Sequence, residues 1–259
     1  MAARQPSQSE LDATRALLTQ LGLEWASQCL PELLERAVKE ELSLPRFLHL
    51  VCAQEQESRE ERRVRTGLKL SGLPGGKTLD TFDFAFQTSV DKSQIDLLAT
   101  SEFVRRKEVV LLLGPPGVGK SHLAAGLGVK AVQNGFSVAF MSADHLVDVV
   151  RRDEAADGPR LHRRKYMTTG LLIIDELGFQ ALDRRDAHLL FKVINHRYER
   201  GSTLITSNKS IREWPEMLAG DEVLATAILD RLLHYCHVLQ IDGRSFRLRD
   251  MEQQLAQDR

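Results

Sequence analysis

The sequence predicts an α/β fold, a parallel sheet flanked by helices, preceded by a small all-α N-terminal domain. From about residue 77 onward, continuous apolar segments alternate with segments of helical periodicity, which is typical of a parallel sheet covered on both faces. Before residue 67, leucines recur at spacings of three and four residues, which indicates helices. A chain of 259 residues has room for one large domain and a small helical module.

The N-terminal domain is expected to span residues 1–70. Its helical segments are LDATRALLTQLGLEWASQCL, PELLERAVKEEL and SLPRFLHLVCAQEQESREERRVR. The segment SGLPGGKTLDTFDF then brings glycine, proline and a change of pattern. The second domain is therefore expected to span residues 71–259.

The second domain is predicted to place its strands in apolar runs and its helices between them. One further strand is expected within HVLQIDG, close to the end of the chain. The other predicted strands are 108–114, 136–143, 170–178 and 202–208, and the predicted helices are 121–135, 144–155, 186–201 and 222–236.

Composition excludes several classes of protein. The formal net charge of −1 gives no overall attraction to nucleic acid, so such binding would need local basic patches. No apolar run approaches the roughly 20 residues of a membrane span, and MAARQPSQSE lacks the apolar centre of a signal peptide, so a cytoplasmic protein is expected. Cys29, Cys52 and Cys236 lie far apart, which disfavours a disulfide framework or a thiolate metal site.

The segment GPPGVGKS, residues 114–121, fits the pattern GxxxxGK[ST] between a predicted strand and a predicted helix. Glycines in such a loop let backbone N–H groups curl around phosphates, and the helix start adds its positive end. We expect Lys120 to reach the β- and γ-phosphates and the Ser121 hydroxyl to bind Mg²⁺. The predicted nucleotide-binding residues are Gly114, Pro115, Pro116, Gly117, Val118, Gly119, Lys120, Ser121 and His122.

An acidic pair, Asp175 and Glu176, ends the predicted strand LLIIDE, where parallel sheets bind ligands. Asp175 is expected to hold Mg²⁺ together with Ser121, and Glu176 to polarise the attacking water. A water-activating carboxylate favours ATP hydrolysis over the chemistry of a small-molecule kinase, which must exclude water. Asn208 ends another strand and is a candidate to contact the γ-phosphate or the water.

Arg231 stands on the otherwise apolar helix AILDRLLHYC. One interpretation is a salt bridge with Asp230 or Glu222. The other is projection toward a neighbouring subunit, where an arginine supplied in trans stabilises transition-state charge. Periodicity does not choose between them.

Two basic clusters are candidates for nucleic-acid contact. Solvated helix faces are the alternative, and the acidic residues Asp153, Glu154, Glu60 and Glu61 beside them favour it. The candidate DNA-binding residues are Arg151, Arg152, Arg160, Arg163, Arg164 and Lys165 between the second and third strands, and Arg62, Arg63 and Arg65 at the exit of the helical domain.

The segments GPPGVGKSHLA, LLIIDELGF, RYERGSTLITSNKSIREW, AILDRLLHYCHVLQIDGRSFRLRD and KTLDTFDF together resemble the IstB-like proteins. These are AAA+ P-loop ATPases that assist insertion-sequence transposases and are related to DnaC helicase loaders and DnaA initiators. The resemblance implies that Asn208 is the sensor-1 residue and Arg231 the arginine finger. It implies a sensor-2 arginine at Arg247, with Arg244 and Arg249 as neighbouring alternatives.

The same resemblance implies ATP and Mg²⁺ as cofactors and a homo-oligomer with ATP at subunit interfaces. It also implies assembly on duplex DNA and a partner transposase of the same insertion sequence, with the helical domain serving DNA or partner interaction and assembly. The position of cluster 151–165 favours DNA contact, mainly to phosphates. Two alternatives stay open, a helicase loader of the DnaC type and an ATP-gated DNA scaffold that does not hydrolyse ATP.

Overall fold

The computed structural model describes residues 7–157, 164–246 and 248–249. Contacts within the chain divide it into two compact units, Met1–Thr66 and Gly67–Arg259. No helix in the described ranges is both long enough and apolar enough to cross a membrane.

The first unit is helical. Ser7 starts its first helix with a capping box, because its side chain accepts the Glu10 N–H while the Glu10 carboxylate accepts the Ser7 N–H. Ala26, Leu33 and Val51 form the small apolar core. The helices are α1 (Gln8–Gln20), α2 (Glu24–Gln28), α3 (Leu30–Lys39) and α4 (Leu44–Ser71), of which α4 continues past the last residue of this unit.

A buried carboxylate joins α2 to α4. Glu55 Oε2 accepts the Ala26 N–H at 2.9 Å, and Oε1 accepts Arg59 Nε at 2.9 Å. Burial raises the pKa of Glu55, but the hydrogen bonds from Ala26 and Arg59 outweigh it, so this pKa lies below its ordinary value. The ionised form of Glu55 therefore stabilises the helical unit.

The second unit is an α/β sandwich. Its strands are β1 (Val109–Leu113), β2 (Val138–Ser142), β3 (Leu171–Leu177), β4 (Ser202–Ser207) and β5 (Cys236–Gln240). A 3₁₀ turn covers Ile211–Glu213. The helices are α5 (Lys92–Ala99), α6 (Glu102–Arg105), α7 (Lys120–Gln133), α8 (Ala143–Asp157), α9 (Lys165–Thr168), α10 (Arg184–Arg197), α11 (Trp214–Met217) and α12 (Glu222–Leu233).

All five strands are parallel, in the order β2-β3-β4-β1-β5. Leu111, Ile174 and Ile205 are fully buried because helices cover both faces of the sheet. The predicted parallel sheet with flanking helices is confirmed, and each of the predicted strands forms. The strand order places β4 between β3 and β1, so the carboxyl ends of these three strands are neighbours.

Candidate functional site

The candidate site lies where β1, β3 and β4 end. The loop 114–119 follows β1, Asp175 and Glu176 lie near the end of β3, and Asn208 follows β4. Since parallel strands end at the same edge of a sheet, three predicted site segments that are distant in sequence meet there.

The loop between β1 and α7 requires glycine for steric reasons. A Cβ on Gly114, whose φ is +149°, would lie 2.0 Å from the Ile241 carbonyl oxygen. A Cβ on Gly119, whose φ is +96°, would lie 2.6 Å from the Phe82 ring. Lys120 is buried at the start of α7, and its Nζ donates to the carbonyls of Gly114 and Pro115 at 2.7 Å each. The loop therefore curls tightly around the lysine ammonium.

The two predicted Mg²⁺ ligands, the Ser121 hydroxyl and the Asp175 carboxylate, are hydrogen-bonded to each other. Ser121 Oγ donates to Asp175 Oδ1 at 2.8 Å, and Asp175 is 8% exposed. One hydroxyl and one carboxylate fit Mg²⁺, which prefers oxygen ligands and takes few protein groups when substrate phosphates complete its shell. In the described part of the chain, no cluster of three or more His, Cys, Asp or Glu side chains is arranged to hold a metal.

A cavity of about 420 Å³ opens at this edge. Glu176 is exposed and faces it, although the adjacent Asp175 is buried. The structure therefore brings the predicted loop, the acidic pair and the predicted sensor asparagine to one place. Predicted site residues lining the cavity are Pro116, Gly117, Gly119, Lys120, Ser121, His122, Glu176 and Asn208.

Comparison with known proteins identifies the family. IstB-like ATP binding proteins match residues 16–254. The chain belongs to this family. It is 44% identical to a protein of Pseudomonas aeruginosa that is named as an ATP-binding protein of insertion sequence IS21. The alignment runs over 234 residues and covers 90% of this chain and 88% of the relative. The resemblance predicted from the motifs is confirmed.

Comparison with solved structures shows that the fold is AAA+. The structure of AMPPCP-bound DnaA from Aquifex aeolicus matches with a TM-score of 0.54 at 19% identity over 72% of this chain, and the chain spans 57% of that DnaA. The crystal structure of the DnaC helicase loader matches with a TM-score of 0.50 at 22% identity, over 64% of this chain and 97% of that one. At such low identities the likeness defines the fold alone.

Arg231 does not join this cavity in the single chain. Its Nε donates to Asn195 Oδ1 at 2.8 Å, and its guanidinium lies 5.1 Å from the centre of the Phe191 ring. Within the described ranges, neither Asp230 nor Glu222 forms a salt bridge with it. Of the two interpretations that the sequence left open for Arg231, the salt bridge with Asp230 or Glu222 is therefore not found among the described residues.

Arg231 lines a second cavity, of about 270 Å³. Val109, the first residue of β1, also lines it, as do Arg106, Lys107 and Tyr235. This cavity lies at the amino edge of the sheet, opposite the loop that follows β1. In the single chain, Arg231 and the first cavity therefore lie at opposite ends of β1.

The predicted sensor-2 residue Arg247 lies outside the described residues. Its neighbour Arg249 lines the cavity of about 420 Å³ and lies 4.3 Å from the centres of both the Phe86 and Phe246 rings. Arg249 Nη1 also donates to Asp83 Oδ2 at 3.2 Å. The hydrogen bond from the Phe86 N–H and that from Arg249 keep the pKa of Asp83 below its ordinary value.

Part of the basic cluster between β2 and β3 is held in ion pairs. Arg151 contacts Asp148 at 3.1 Å and Asp186 of α10 at 2.5 Å. Arg164 contacts Asp153 at 3.4 Å. These contacts neutralise part of the charge that the sequence offers to DNA.

The remaining members of that cluster differ in position. Arg152 and Lys165 are exposed, and Arg152 Nε donates to the backbone carbonyl of Asp148 at 3.2 Å. Arg160 and Arg163 lie outside the described residues. Arg152 is thus the described arginine of the cluster whose side chain is most accessible to a phosphate.

In the helical unit the second basic cluster lies on α4. Arg62 contacts the buried Glu55 at 3.5 Å, and Arg63 forms an ion pair with Glu60. Arg65 is exposed. Two of the three candidate DNA-binding arginines on α4 therefore carry carboxylate partners.

Sequence reasoning missed several residues of the site. Phe82, which none of the predicted site motifs includes, is buried and also lines the cavity. Thr206 also lines the cavity, as does Phe246, whose N–H donates to the Gly117 carbonyl at 2.9 Å. The signal for Thr206 was available, because it belongs to the polar end of STLITSN.

Proposed function

We propose that this protein is an ATP-dependent DNA-binding ATPase that assembles on duplex DNA and recruits or activates the transposase of its insertion sequence. ATP binds in the cavity of about 420 Å³ at the carboxyl edge of the sheet and is hydrolysed there. The observation that carries the proposal is the Ser121–Asp175 hydrogen bond of 2.8 Å beside an exposed Glu176.

Each residue of the site has its own role in the proposed hydrolysis. Lys120 binds the β- and γ-phosphates, and the loop N–H groups enclose them. Glu176 polarises the water that attacks the γ-phosphate, and Asn208 orients that water or the phosphate. Ser121 and Asp175 hold Mg²⁺, which when bound neutralises charge developing on the phosphates.

Arg231 completes the site from a neighbouring copy. Its placement at the opposite edge of the sheet, beside Val109, supports this role. An arginine supplied in trans makes hydrolysis depend on assembly, since a lone chain lacks one group that stabilises the transition state. Nucleotide state and oligomerisation are then linked.

DNA contact is proposed at the exposed part of the cluster between β2 and β3, with Arg152 and Lys165 as its described members. Contacts of this kind go to phosphates, so binding is weakly sequence-specific and falls steeply with salt. The insertion-sequence names of the relatives support a transposase as partner. The helical unit is proposed to serve interaction with DNA or the partner, and assembly.

The test is steady-state ATP hydrolysis with and without duplex DNA, for the wild type and for Glu176→Gln. Loss of the general base is expected to lower kcat by about 10²-fold or more, with nucleotide binding retained. Glu216→Gln, which changes an exposed glutamate of α11 outside the cavity lining, is the matched control and should hydrolyse ATP like the wild type.

Two alternative functions give different results in the same experiments. A scaffold gated by ATP would bind nucleotide without releasing phosphate, with or without DNA. A helicase loader would prefer single-stranded DNA over duplex in a gel-shift assay. Wild-type turnover that Glu176→Gln leaves unchanged would contradict the assignment of the base.

A further inference from the structure

The end of β3 is irregular at the two acidic residues. Ile174 pairs with Ile205 of β4, and Leu177 pairs with Ser207. Asp175 and Glu176 therefore lie opposite a single residue, Thr206. Such a bulge re-aims a side chain, and bulges are common next to active sites.

The hydroxyl of Thr206 bonds to both acidic residues. It donates to Asp175 Oδ1 at 2.5 Å and accepts the backbone N–H of Glu176 at 2.9 Å. Thr206 is 1% exposed, so these two bonds form away from water. One hydroxyl thus connects the carboxylate of one acid to the backbone of the other.

Glu176 has a backbone conformation that non-glycine residues seldom adopt. Its φ is +60°, in the left-handed region. A residue stays in such a conformation only when its surroundings fix it, and strain of this kind clusters at functional sites. The hydrogen bond from the Glu176 N–H to Thr206 is one contact that fixes it. This conformation accompanies the placement of Glu176 in the cavity while Asp175 stays buried.

We propose that Thr206 is a positioning residue for ATP hydrolysis. Its hydroxyl aims the Asp175 carboxylate at Ser121 and holds Glu176 in the conformation that faces the nucleotide. The inference rests on the proposed function, because it assigns Thr206 to the same reaction. Although Thr206 is part of the cavity lining, in this role its hydroxyl acts through the two acids.

The alternative is a purely structural threonine, whose hydroxyl only satisfies buried partners. The two interpretations differ in what a substitution changes. Loss of a structural contact lowers stability and leaves the affinity for Mg²⁺–nucleotide unchanged in the folded fraction. Loss of a positioning contact reduces the amount by which Mg²⁺ increases the affinity for nucleotide, that is, the difference between the affinities measured with Mg²⁺ and with EDTA. It also lowers kcat more than it raises KM.

The test compares Thr206→Val, which keeps the shape and removes the hydroxyl, with Thr206→Ser, which keeps the hydroxyl. Thr203→Val is the matched control, because Thr203 is a buried threonine near the other end of β4 whose hydroxyl accepts Arg197 Nε at 3.2 Å. Each variant is measured for thermal stability, for kcat and KM, and for binding of a fluorescent ATP analogue in EDTA and in Mg²⁺.

For Thr206→Val we expect a loss of about 10- to 100-fold in kcat and about 10-fold in the affinity gain from Mg²⁺. Affinity in EDTA should match the wild type. Thr206→Ser should behave like the wild type, and Thr203→Val should lower only stability. If Thr206→Val does not fold, Thr206→Ala is measured in its place.

Several outcomes would overturn the inference. One is a Thr206→Val variant with wild-type kcat and wild-type Mg²⁺ dependence, and another is a Thr206→Ser variant as impaired as the valine. A wild type that binds the analogue but never releases phosphate would instead reject the proposed hydrolysis. In that case the Mg²⁺ arm still tests the contact between Thr206 and Asp175.

Discussion

Arg197 is a buried cation at the end of α10, and we predict that Arg197→Met strongly destabilises the α/β unit. Its side chain is among the largest that are fully buried, with 1% exposure. Within the described part of the chain, no carboxylate forms a salt bridge with it. Burial lowers the pKa of Arg197 to about 10, so the guanidinium remains charged at neutral pH.

Carbonyl oxygens from three segments accept hydrogen bonds from this guanidinium and so replace its hydration. It donates to the carbonyls of Tyr166 at 3.1 Å, Met167 at 3.3 Å and Ser202 at 2.5 Å. It also reaches the Gly170 carbonyl at 3.4 Å, which already accepts the Ser202 N–H at 2.9 Å. Arg197 therefore ties α9 and the residue before β3 to the start of β4.

The expected loss follows from the acceptors that methionine leaves behind. Three buried acceptors lose the Arg197 donor, namely the Tyr166 and Met167 carbonyls and the Thr203 hydroxyl, and each buried unsatisfied group costs about 1–3 kcal/mol. Relief from burying a charge offsets part of this cost, so we take the lower end, about 3 kcal/mol. For a unit of this size each kcal/mol corresponds to about 2–4 °C, so Tm should fall by about 6–12 °C.

Fluorescence of Trp214 makes the assay specific to this unit. The chain has two tryptophans, Trp25 in the helical unit and the fully buried Trp214 in the α/β unit. In a Trp25→Phe background, urea and thermal unfolding followed by tryptophan emission report on the α/β unit alone. Arg200→Met is the matched control, because Arg200 is exposed and donates to the His196 carbonyl. A loss below about 1 kcal/mol for Arg197→Met would refute the reasoning.

Three further predictions concern assembly, DNA contact and acid stability. Lys120→Ala and Arg231→Ala should each be inactive, because each proposed site needs Lys120 of one copy and Arg231 of its neighbour. In an equal mixture of the two variants, random assembly combines an intact Lys120 with an intact Arg231 at about one interface in four, so about a quarter of wild-type ATPase activity should return. Arg152→Glu should weaken duplex binding in a gel-shift assay at unchanged Tm, whereas Arg151→Ala should lower Tm by breaking its ion pairs. The stability of the helical unit should fall as the pH drops below 4.5, the ordinary pKa of Glu55, toward the lower pKa of Glu55 in the folded chain. Unfolding followed by circular dichroism measures this. The variant Glu55→Gln should be less stable than the wild type at pH 7, and its stability should depend less on pH.

Local patterns were enough to predict the sheet and the loop 114–121. Each apolar run became a strand because its residues are buried on both sides, which makes the signal strong in a single sequence. The start of α12 at Glu222 is as predicted, whereas α7 and α8 each begin one residue earlier than predicted. The helix α10 begins two residues earlier, at Arg184, because the Asp183 side chain caps it by accepting the Asp186 N–H at 2.8 Å.

The site was predicted where its residues belong to motifs and missed where they depend on tertiary contacts. The acidic pair is visible in LLIIDE, but the bulge that separates buried Asp175 from exposed Glu176 depends on the register with β4. The ion pair between Arg151 and Asp186 joins α8, which precedes β3 in the sequence, to α10, which follows it. No local pattern encodes a partner 35 residues away.

The segment from α10 to the end of β4 connects the two edges of the sheet. Asn195 of α10 holds Arg231 at the amino edge, and Thr206 of β4 holds the acidic pair at the carboxyl edge. Arg197 lies between them and fixes the first residue of β4 through the Ser202 carbonyl. The same short segment thus orients Arg231 and Glu176, the two residues to which we assign the arginine finger and the general base. Because α10 contributes no residue to the lining of the first cavity, substitutions at Asn195 test whether the proposed ATPase depends on this helix.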